Sequence, residues 1–319
     1  MSKRWDVLGV GAVAVDDLVY VDRFPEPDSK MQIRDERRQG GGPVATGLVA
    51  AHRLGSTAAF LGILGDDLLS RSAIEELEAE GVDCSGVARR EGARPYHAVI
   101  IVNLSTGQRT IHYSASGVSY LAPEEVPEAL VAASRVLLVD HYAGASALRA
   151  AEIAQAHRIP VVADVEGVPD GVAAGLLACA SHLIVGVEMG RLLTGEGDPA
   201  AAAAALARAD AGRPGGARAC CAVTAGASGC FYSERGGGVQ HFPAFQVDVV
   251  DTTGCGDVFH GAYAATIARG ESVMRAIQVA TAAAGIKATR PGGRAGIPDR
   301  EALEAFLQSQ RVRPGTNVW

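Results

Sequence analysis

The sequence is poor in aromatic residues, in charged residues and in long apolar runs. Of its 319 residues, 5% are aromatic and 20% are charged. No apolar run approaches the ~20 residues that a membrane-spanning helix needs, so we expect no membrane partner. The net charge of −7 argues against a nucleic acid as the main partner, because phosphate backbones attract basic surfaces.

Three familiar signatures are also missing. The phosphate-binding pattern G-x-x-x-x-G-K-[ST] does not occur, which excludes a P-loop enzyme. The six cysteines lack the spacing of metal ligands, so we expect buried free thiols in a reducing cytoplasm. Cys255 is the exception, because a thiol at a helix N-terminus can have a lowered pKa. The first residues lack the apolar stretch of a secretory signal, so we expect a cytoplasmic location.

Short apolar runs alternate with helical patterns along most of the chain. Strands with continuous apolar residues are buried on both faces, which is typical of a mainly parallel sheet covered by helices. The sequence therefore predicts an α/β fold, as one domain over residues 1–319. Helices are predicted at residues 44–54, 68–80 and 200–211, and strands at residues 7–10, 58–64, 136–139, 161–163, 183–185 and 219–224.

Two segments, residues 16–38 and 95–114, break this alternation. In both, apolar and polar residues follow one another with a period of two, as in Tyr96–Ile100 and Arg109–Tyr113. This pattern predicts antiparallel strands that project from the main sheet, the second pair joined by a turn at Thr106-Gly107.

Residues 249–261 are the most informative stretch of the chain. They read V-V-D-T-T-G-C-G-D-V-F-H-G, a strand end, a turn of small residues and the first turn of a helix. Backbone N–H groups at a helix N-terminus form a pocket that suits phosphate. Asp257 is an anion at the mouth of this pocket, which is most simply explained as a base that deprotonates a hydroxyl about to attack a phosphoryl group.

Residues 251–257, D-T-T-G-C-G-D, resemble the D-T-x-G-A-G-D signature of the PfkB, or ribokinase-like, carbohydrate kinases. The resemblance implies a three-layer α/β/α fold with a mainly parallel central sheet and a small β-sheet lid over the sugar. It implies ATP and Mg²⁺ as cofactors, a sugar hydroxyl, expected to be that of a ketose, as phosphoryl acceptor, and a possible homodimer through the lid. The implied catalytic groups are Asp257 as general base and the N–H groups of Gly254, Cys255 and Gly256.

Gly41-Gly42 followed by Thr46 resembles the N-terminal G-G-x-x-x-N signature of the same family, with threonine in place of asparagine. Glycines there let the backbone approach a polyol closely. Asp16 falls at the family position that binds sugar hydroxyls, and Asp17 is the competing choice. The implied substrate-binding residues are Asp16, Gly41, Gly42, Thr46, Lys30, Arg109, His112 and His141, with Arg34 as a further cation for an anionic sugar.

The nucleotide and cation sites are also assigned by resemblance. Residues 223–230 are similar to the family's V-T-x-G-x-x-G segment, which runs along ATP. Glu188 stands where the family has N-x-x-E, which organises Mg²⁺ and phosphates, and Thr281 is a candidate near the adenine. The implied nucleotide contacts are Thr224, Gly226, Gly229, Glu188 and Thr281. The implied K⁺ ligands are Asp251, Thr253, Lys287, Arg290, Gly292 and Gly296.

Within the family, residues 40–46, 243–251 and 290–298 are most similar to the sulfofructose kinase branch. An anionic sugar would need Lys or Arg in the lid. However, His112 and His141 occupy stretches where that branch places sulfonate-binding Asn and Arg, and neutral imidazoles bind anions poorly. A sulfofructose kinase, a nucleoside kinase and a non-catalytic sugar sensor therefore remain alternatives to a general sugar kinase.

Overall fold

The computed structural model describes residues 3–106, 108–166, 171–210 and 216–311. The predicted turn residue Gly107 and the end of the third predicted helix, Ala211, lie outside these ranges. The strands are β1 Trp5–Val10, β2 Ala14–Val21, β3 Asp35–Gly41, β4 Ala58–Leu64, β5 Asp83–Arg89, β6 Tyr96–Asn103, β7 Arg109–Ser114, β8 Ser134–Asp140, β9 Val161–Asp164, β10 His182–Gly186, β11 Cys220–Thr224, β12 Cys230–Glu234 and β13 Gln240–Phe242. The helices are α1 Pro43–Arg53, α2 Leu68–Ala79, α3 Glu128–Ala132, α4 Gly144–Ala156, α5 Gly171–Cys179, α6 Val187–Thr194, α7 Pro199–Asp210, α8 Cys255–Ala268, α9 Val273–Lys287 and α10 Arg300–Arg311.

Nine strands form the main sheet, in the order β13-β12-β11-β10-β9-β8-β1-β4-β5. The seven strands from β11 to β5 run parallel, and β12 runs in the opposite direction and pairs antiparallel with both β11 and β13. Alternate residues of a central strand enter different cores. In β8, Val136 and Leu138 pack under α1, α2, α8, α9 and α10, whereas Leu137 and Val139 pack under α3 to α7. This confirms the predicted three-layer α/β/α architecture, since a strand covered on both faces must be apolar on both.

A separate small sheet has the order β3-β2-β6-β7 and contains both segments predicted to project from the main sheet. The pairs β2–β3 and β6–β7 are antiparallel as predicted, but β2 and β6 pair in parallel. The prediction of only antiparallel pairs was therefore wrong. The reason is topological, because β2 follows β1 and β6 follows β5, so both strands leave the main sheet in the same direction.

The small sheet has an exposed edge. All six residues of β7, Arg109–Ser114, are exposed, and β7 pairs only with β6. Unpaired strand edges can pair with another chain, so the homodimer stays a prediction. Within the described ranges, no helix is both long and apolar enough to cross a bilayer.

Helices α1 and α8 cross with their backbones in contact, which brings the two glycine-rich motifs together. A Cβ placed on Gly261 would clash with the carbonyl oxygen of Gly47. The main-chain oxygen of Asp257 also lies 3.3 Å from where a Cβ of Gly47 would stand. The N-terminus of α1, with Gly42 and Thr46, therefore lies beside the first turn of α8.

Candidate active site

The first turn of α8 forms the centre of the candidate site. The helix begins after Gly254, whose φ of 74° lies in the left-handed region that glycine tolerates. The Cys255 N–H donates to the Thr252 carbonyl (3.2 Å). Of the three predicted anion-binding donors, Gly254 and Gly256 are the two whose N–H groups have no acceptor in the described part of the chain. Free N–H groups at a helix N-terminus suit a phosphoryl group.

Asp257 lies in this first turn, and burial raises the pKa of its carboxyl. The neighbouring carboxylates of Asp164 and Glu166 raise the pKa further, because like charges disfavour ionisation. A carboxyl that holds or releases its proton near neutral pH is suited to general-base catalysis.

His260 connects Asp257 to the sheet. Its Nδ1 lies 3.2 Å from the Asp164 carboxylate and 2.9 Å from the Gly256 carbonyl, and its Nε2 lies 3.0 Å from the Ile184 carbonyl. Both ring nitrogens thus face oxygen acceptors, and both can donate only when the imidazole is protonated. His260 was not among the residues predicted from the sequence, although its spacing of three residues from Asp257 puts both on one side of a helix.

Two adjacent parallel strands each end in a buried carboxylate that was not predicted from the sequence. Asp140 and Asp164 are register partners at the carboxyl ends of β8 and β9. Asp140 accepts N–H groups from Ala12 (2.7 Å) and Tyr142 (3.0 Å), and also from Val44 and Ala143, yet burial raises its pKa to about 7. The available signal was that two apolar runs, V-L-L-V-D and V-V-A-D, both end in aspartate at the edge where parallel sheets bind ligands.

The predicted sugar-binding residues Asp16, Gly41 and Thr46 are brought together by a buried arginine. The Arg294 Nη2 donates to the Gly41 carbonyl (2.9 Å) and its Nε to Thr46 Oγ1 (3.3 Å). A Cβ on Gly41 would clash with the Asp16 carboxylate, so the two lie in contact. Burial raises the pKa of Asp16 to about 6, against the positive charge of Arg294, which lowers it. Gly42 ends the same segment as the residue before α1.

Asp16 is better placed than its competitor Asp17. On the small sheet, Asp17 forms an ion pair with Arg38 (2.7 Å) and its Oδ2 lies 2.8 Å from His97 Nε2. Hydrogen bonds from Arg38 lower the pKa of Asp17. Its charge is therefore already neutralised by partners outside the glycine motif.

The predicted anion-binding cations and histidines are dispersed. Arg109 of β7 reaches the loop before α8, where its Nη1 donates to Thr252 Oγ1 (3.2 Å). Lys30 and His112 are exposed, and Arg34 pairs with Asp22. His141 follows β8 and accepts the Glu166 N–H at Nδ1 (3.3 Å). Among the cations proposed for an anionic sugar, Arg109 is the one that contacts the turn before α8 in the described part of the chain.

A cavity of about 420 Å³ opens at the carboxyl ends of β10 and β11. Thr224, Gly226 and Glu188, all predicted nucleotide contacts, line it together with Glu166. Gly229 closes the adjacent turn by donating its N–H to the Gly226 carbonyl (3.0 Å). The segment predicted to run along ATP thus borders a cavity of a size typical of small-molecule sites.

Thr281 lies apart from this cavity. It is buried on α9, and its hydroxyl donates to the Ile277 carbonyl of the same helix (2.7 Å). It is not among the residues that line the cavity in the described structure. Because the Thr281 hydroxyl already donates its hydrogen bond within α9, the structure gives no support to a contact between Thr281 and the adenine.

The loop predicted to bind K⁺ contains a protein cation. Lys287, the last residue of α9, is fully buried, and its Nζ donates to the Asp251 carbonyl (2.8 Å). The Asp251 carboxylate accepts the N–H groups of Thr253 (2.8 Å) and Gly292 (2.7 Å). The carbonyl of Lys287 accepts the Arg290 N–H (3.2 Å).

These residues do not fit a bound K⁺. An ion held by the Asp251 carbonyl would lie within about 6 Å of the ammonium, where two unit charges repel by about 3 kcal/mol at an effective dielectric constant near 20. Gly296 packs against the Lys287 carbonyl. Among the described side chains of the predicted K⁺ ligands, Thr253 Oγ1 is the one buried polar atom that has no hydrogen-bond partner. The set of K⁺ ligands therefore stays a prediction, and the buried Lys287 ammonium argues against it.

The Cys255 thiol is not activated. Burial raises its pKa, although the charge of Lys287 lowers it. Its Sγ donates to the Ala284 carbonyl (3.5 Å) on α9. The expectation of a lowered pKa at the helix N-terminus is wrong because the desolvation of the thiol outweighs the nearby positive charge. Five of the six cysteines are buried, and Cys255 is the one of intermediate exposure.

Comparisons with known proteins agree with this geometry. A family model described as pfkB family carbohydrate kinase matches residues 6–300. The chain is 28% identical over 315 residues to a ribokinase of Haemophilus influenzae, covering 97% of this chain and 99% of that protein. It is 29% identical to an ATP-dependent ribose-1-phosphate kinase of Halopiger xanaduensis, covering 95% and 98%. The structure of a putative ribokinase from Agrobacterium tumefaciens superposes with a TM-score of 0.85 at 29% identity, covering 96% and 99%. The chain therefore has the ribokinase-like fold and belongs to the PfkB family of carbohydrate kinases.

Proposed function

We propose that this chain transfers the γ-phosphoryl group of ATP to a hydroxyl of a pentose, with Asp257 as the general base. The observation that carries the proposal is the half-buried Asp257 carboxyl in the first turn of α8, beside two free N–H groups. The names of the Haemophilus and Halopiger relatives favour ribose or a ribose phosphate as the sugar. The ketose acceptor remains a prediction, tested by the same substrates.

The sugar would lie between Asp16, Gly41, Thr46 and Asp257. The Asp16 carboxylate can accept hydrogen bonds from hydroxyls, and Gly41 has no Cβ, which lets this carboxylate lie against the backbone of the glycine motif. Asp257 takes the hydroxyl proton as the oxygen attacks. Its raised pKa suits this step, because the ideal base has a pKa near the working pH.

The nucleotide would lie along Thr224 and Gly226, with its terminal phosphate at the N–H groups of Gly254 and Gly256. Each such donor contributes about 3–4 kcal/mol to a developing anion in comparable sites. The small sheet acts as the lid that excludes water, and Arg109 extends from it towards the same turn.

The residues fit Mg²⁺. Glu166 and Glu188 line one cavity, and Mg²⁺ is normally held by one or two carboxylates, water and substrate phosphates rather than by a protein cage. When bound, the ion neutralises charge on the phosphates.

The test is ADP formation by Asp257→Asn and by Asp198→Asn as a matched control. Asp198 also lies at a helix start, where its Oδ2 accepts the Ala201 N–H (2.8 Å), and it is exposed and does not line the cavity. We expect Asp257→Asn to lower kcat at least about 10²-fold with unchanged ATP affinity, and Asp198→Asn to change neither. A near-wild-type kcat for Asp257→Asn would refute the role of the base.

The substrate is tested with ribose, deoxyribose, ribose 1-phosphate, fructose, tagatose, fructose 6-phosphate, 6-deoxy-6-sulfofructose and several nucleosides. Turnover of ribose or its phosphate supports the proposal. Turnover of a ketose, a sulfonated sugar or a nucleoside alone replaces it with that alternative. Sugar binding without ADP formation by the wild type would identify a non-catalytic sensor.

A further inference from the structure

Lys287 is unusual among the basic residues of this chain. Only three of the 29 Lys and Arg residues are lysines. Lys3 and Lys30 are exposed, whereas Lys287 is 0% exposed. A fully buried lysine is rare unless it is paired, since burial disfavours its charged form. Such a residue requires a specific explanation.

The ammonium of Lys287 is paired with the turn that carries the candidate anion site. Its Nζ donates to the Asp251 carbonyl (2.8 Å), four residues before Cys255. Asp251 is itself buried, so the Lys287 ammonium lies beside a buried acidic residue. Lys287 thus balances a buried negative charge and joins the end of α9 to the turn before α8.

A second link ties the same carboxylate to the opposite loop. Asp251 Oδ1 accepts the Thr253 N–H and Oδ2 accepts the Gly292 N–H. The ammonium bonds the main-chain carbonyl of Asp251, and the two N–H groups bond its carboxylate, so all three donors meet at one residue before the first turn of α8. A compact ammonium suits this position better than a guanidinium fork, because it is a point charge with three donors.

We propose that the Lys287 ammonium is a built-in monovalent cation, which orders the anion-binding turn and makes this chain independent of K⁺. The proposal deepens the proposed function, on which its catalytic consequence rests. It predicts that the turn is ordered and electropositive at any K⁺ concentration, since the cation is covalently part of α9.

The first experiment uses the wild-type protein in K⁺, Na⁺ or tetramethylammonium at equal ionic strength. We expect the same thermal unfolding midpoint in all three, and Mg·ATP affinity by calorimetry that varies less than about twofold. A binding K⁺ would raise the midpoint by mass action. A midpoint that rises with K⁺ concentration, or an affinity at least about tenfold higher in K⁺ than in tetramethylammonium, would overturn the proposal.

Two variants test the charge itself. Lys287→Ala removes the ammonium and leaves space, whereas Lys287→Met removes the charge and keeps most of the volume. In tetramethylammonium we expect both to lose at least about tenfold in Mg·ATP affinity, with K⁺ or NH₄⁺ restoring only the alanine variant. Lys3→Ala, at an exposed position, is the control and should match the wild type in every salt.

The outcomes separate this proposal from the proposed function. Unfolding midpoints need neither nucleotide nor sugar, and calorimetry needs no sugar, so a wrong substrate leaves both readouts intact. Wild-type Mg·ATP affinity retained by Lys287→Met in tetramethylammonium would show that the charge is dispensable and would overturn the inference. If either variant fails to fold, the salt series on the wild type still decides.

Discussion

Replacing Arg294 with methionine should expose the energetic cost of the buried charge cluster beside the sugar-binding segment. Arg294 has a side chain that is 6% exposed and interacts with Glu76 across 3.9 Å. It also donates to the Gly41 carbonyl and to Thr46 Oγ1. Methionine keeps the aliphatic volume and removes the charge and both hydrogen bonds.

The magnitude follows from which partner is left behind. The Glu76 side chain is 34% exposed and can be solvated, but Asp16 is 8% exposed and would stay buried. Arg294 acts on Asp16 through its charge and not through a direct ion pair, so the cost of about 3–5 kcal/mol for breaking a buried pair is the upper bound of the loss of unfolding free energy that we expect near neutral pH.

The loss should depend on pH, with a sign that the structure determines. The pKa of Asp16, about 6, is already above its ordinary value, and Arg294 holds it down. Without Arg294 the pKa of Asp16 in the folded protein rises further above its value in the unfolded chain. The folded state therefore loses more stability as the pH rises through the folded-state pKa of Asp16. Each unit of rise adds about 1.4 kcal/mol to the loss at high pH. The loss should therefore be smaller at about pH 5 than at about pH 8.

The assay is urea unfolding, which is monitored both by circular dichroism and by tryptophan fluorescence to check that the two transitions coincide. Arg149→Met is the control, because Arg149 pairs with Glu152 on the exposed face of α4 and should change stability by less than about 0.5 kcal/mol. Adding Asp16→Asn to Arg294→Met should abolish the extra pH dependence. A loss below about 1 kcal/mol, or an equal loss at both pH values, would refute the reasoning.

Two further variants test the buried carboxylate and the helix crossing. Asp140→Asn removes a carboxyl whose native pKa of about 7 lies above its ordinary value, so the fold favours the neutral form and the wild type loses stability as pH rises. The stability of wild type relative to variant should fall by up to about 4 kcal/mol between about pH 4 and pH 8 in urea unfolding, and a constant difference would contradict this. Gly261→Ala should cost about 1–3 kcal/mol, because the new Cβ meets the Gly47 carbonyl and separates α1 from α8. Gly285→Ala on α9, whose Cβ would meet only Val247 Cγ1 at 3.9 Å, should instead gain about 0.5–1 kcal/mol, and equal thermal shifts for both would exclude the contact as the cause.

Much of the fold could be predicted from local patterns. Apolar runs such as residues 136–139 allowed strand assignment because both faces of that strand are buried. The small sheet was found from its period of two. Its parallel β2–β6 pair was missed, because pairing between strands more than seventy residues apart depends on where each strand leaves the main sheet.

The candidate site was predicted where its residues are close in sequence. Asp257 and the glycines beside it share one turn, so their chemistry can be read from the order of residues. Asp164 and Asp140 are far from Asp257 in sequence. They influence its pKa only because β8 and β9 end at the edge of the sheet where α8 begins.

The sequence by itself determined the family, the alternation of strands and helices, and the turn in which Asp257 lies, because these depend on neighbouring residues. Only the tertiary structure decided the electrostatics. Burial raised the pKa of the Cys255 thiol. The packing of distant segments brought Arg294 into contact with Gly41 and Thr46, and it brought the Lys287 ammonium to the loop where a K⁺ ion was predicted. Desolvation and charge pairing depend on what packs around a group, which for these residues comes from segments distant in the chain.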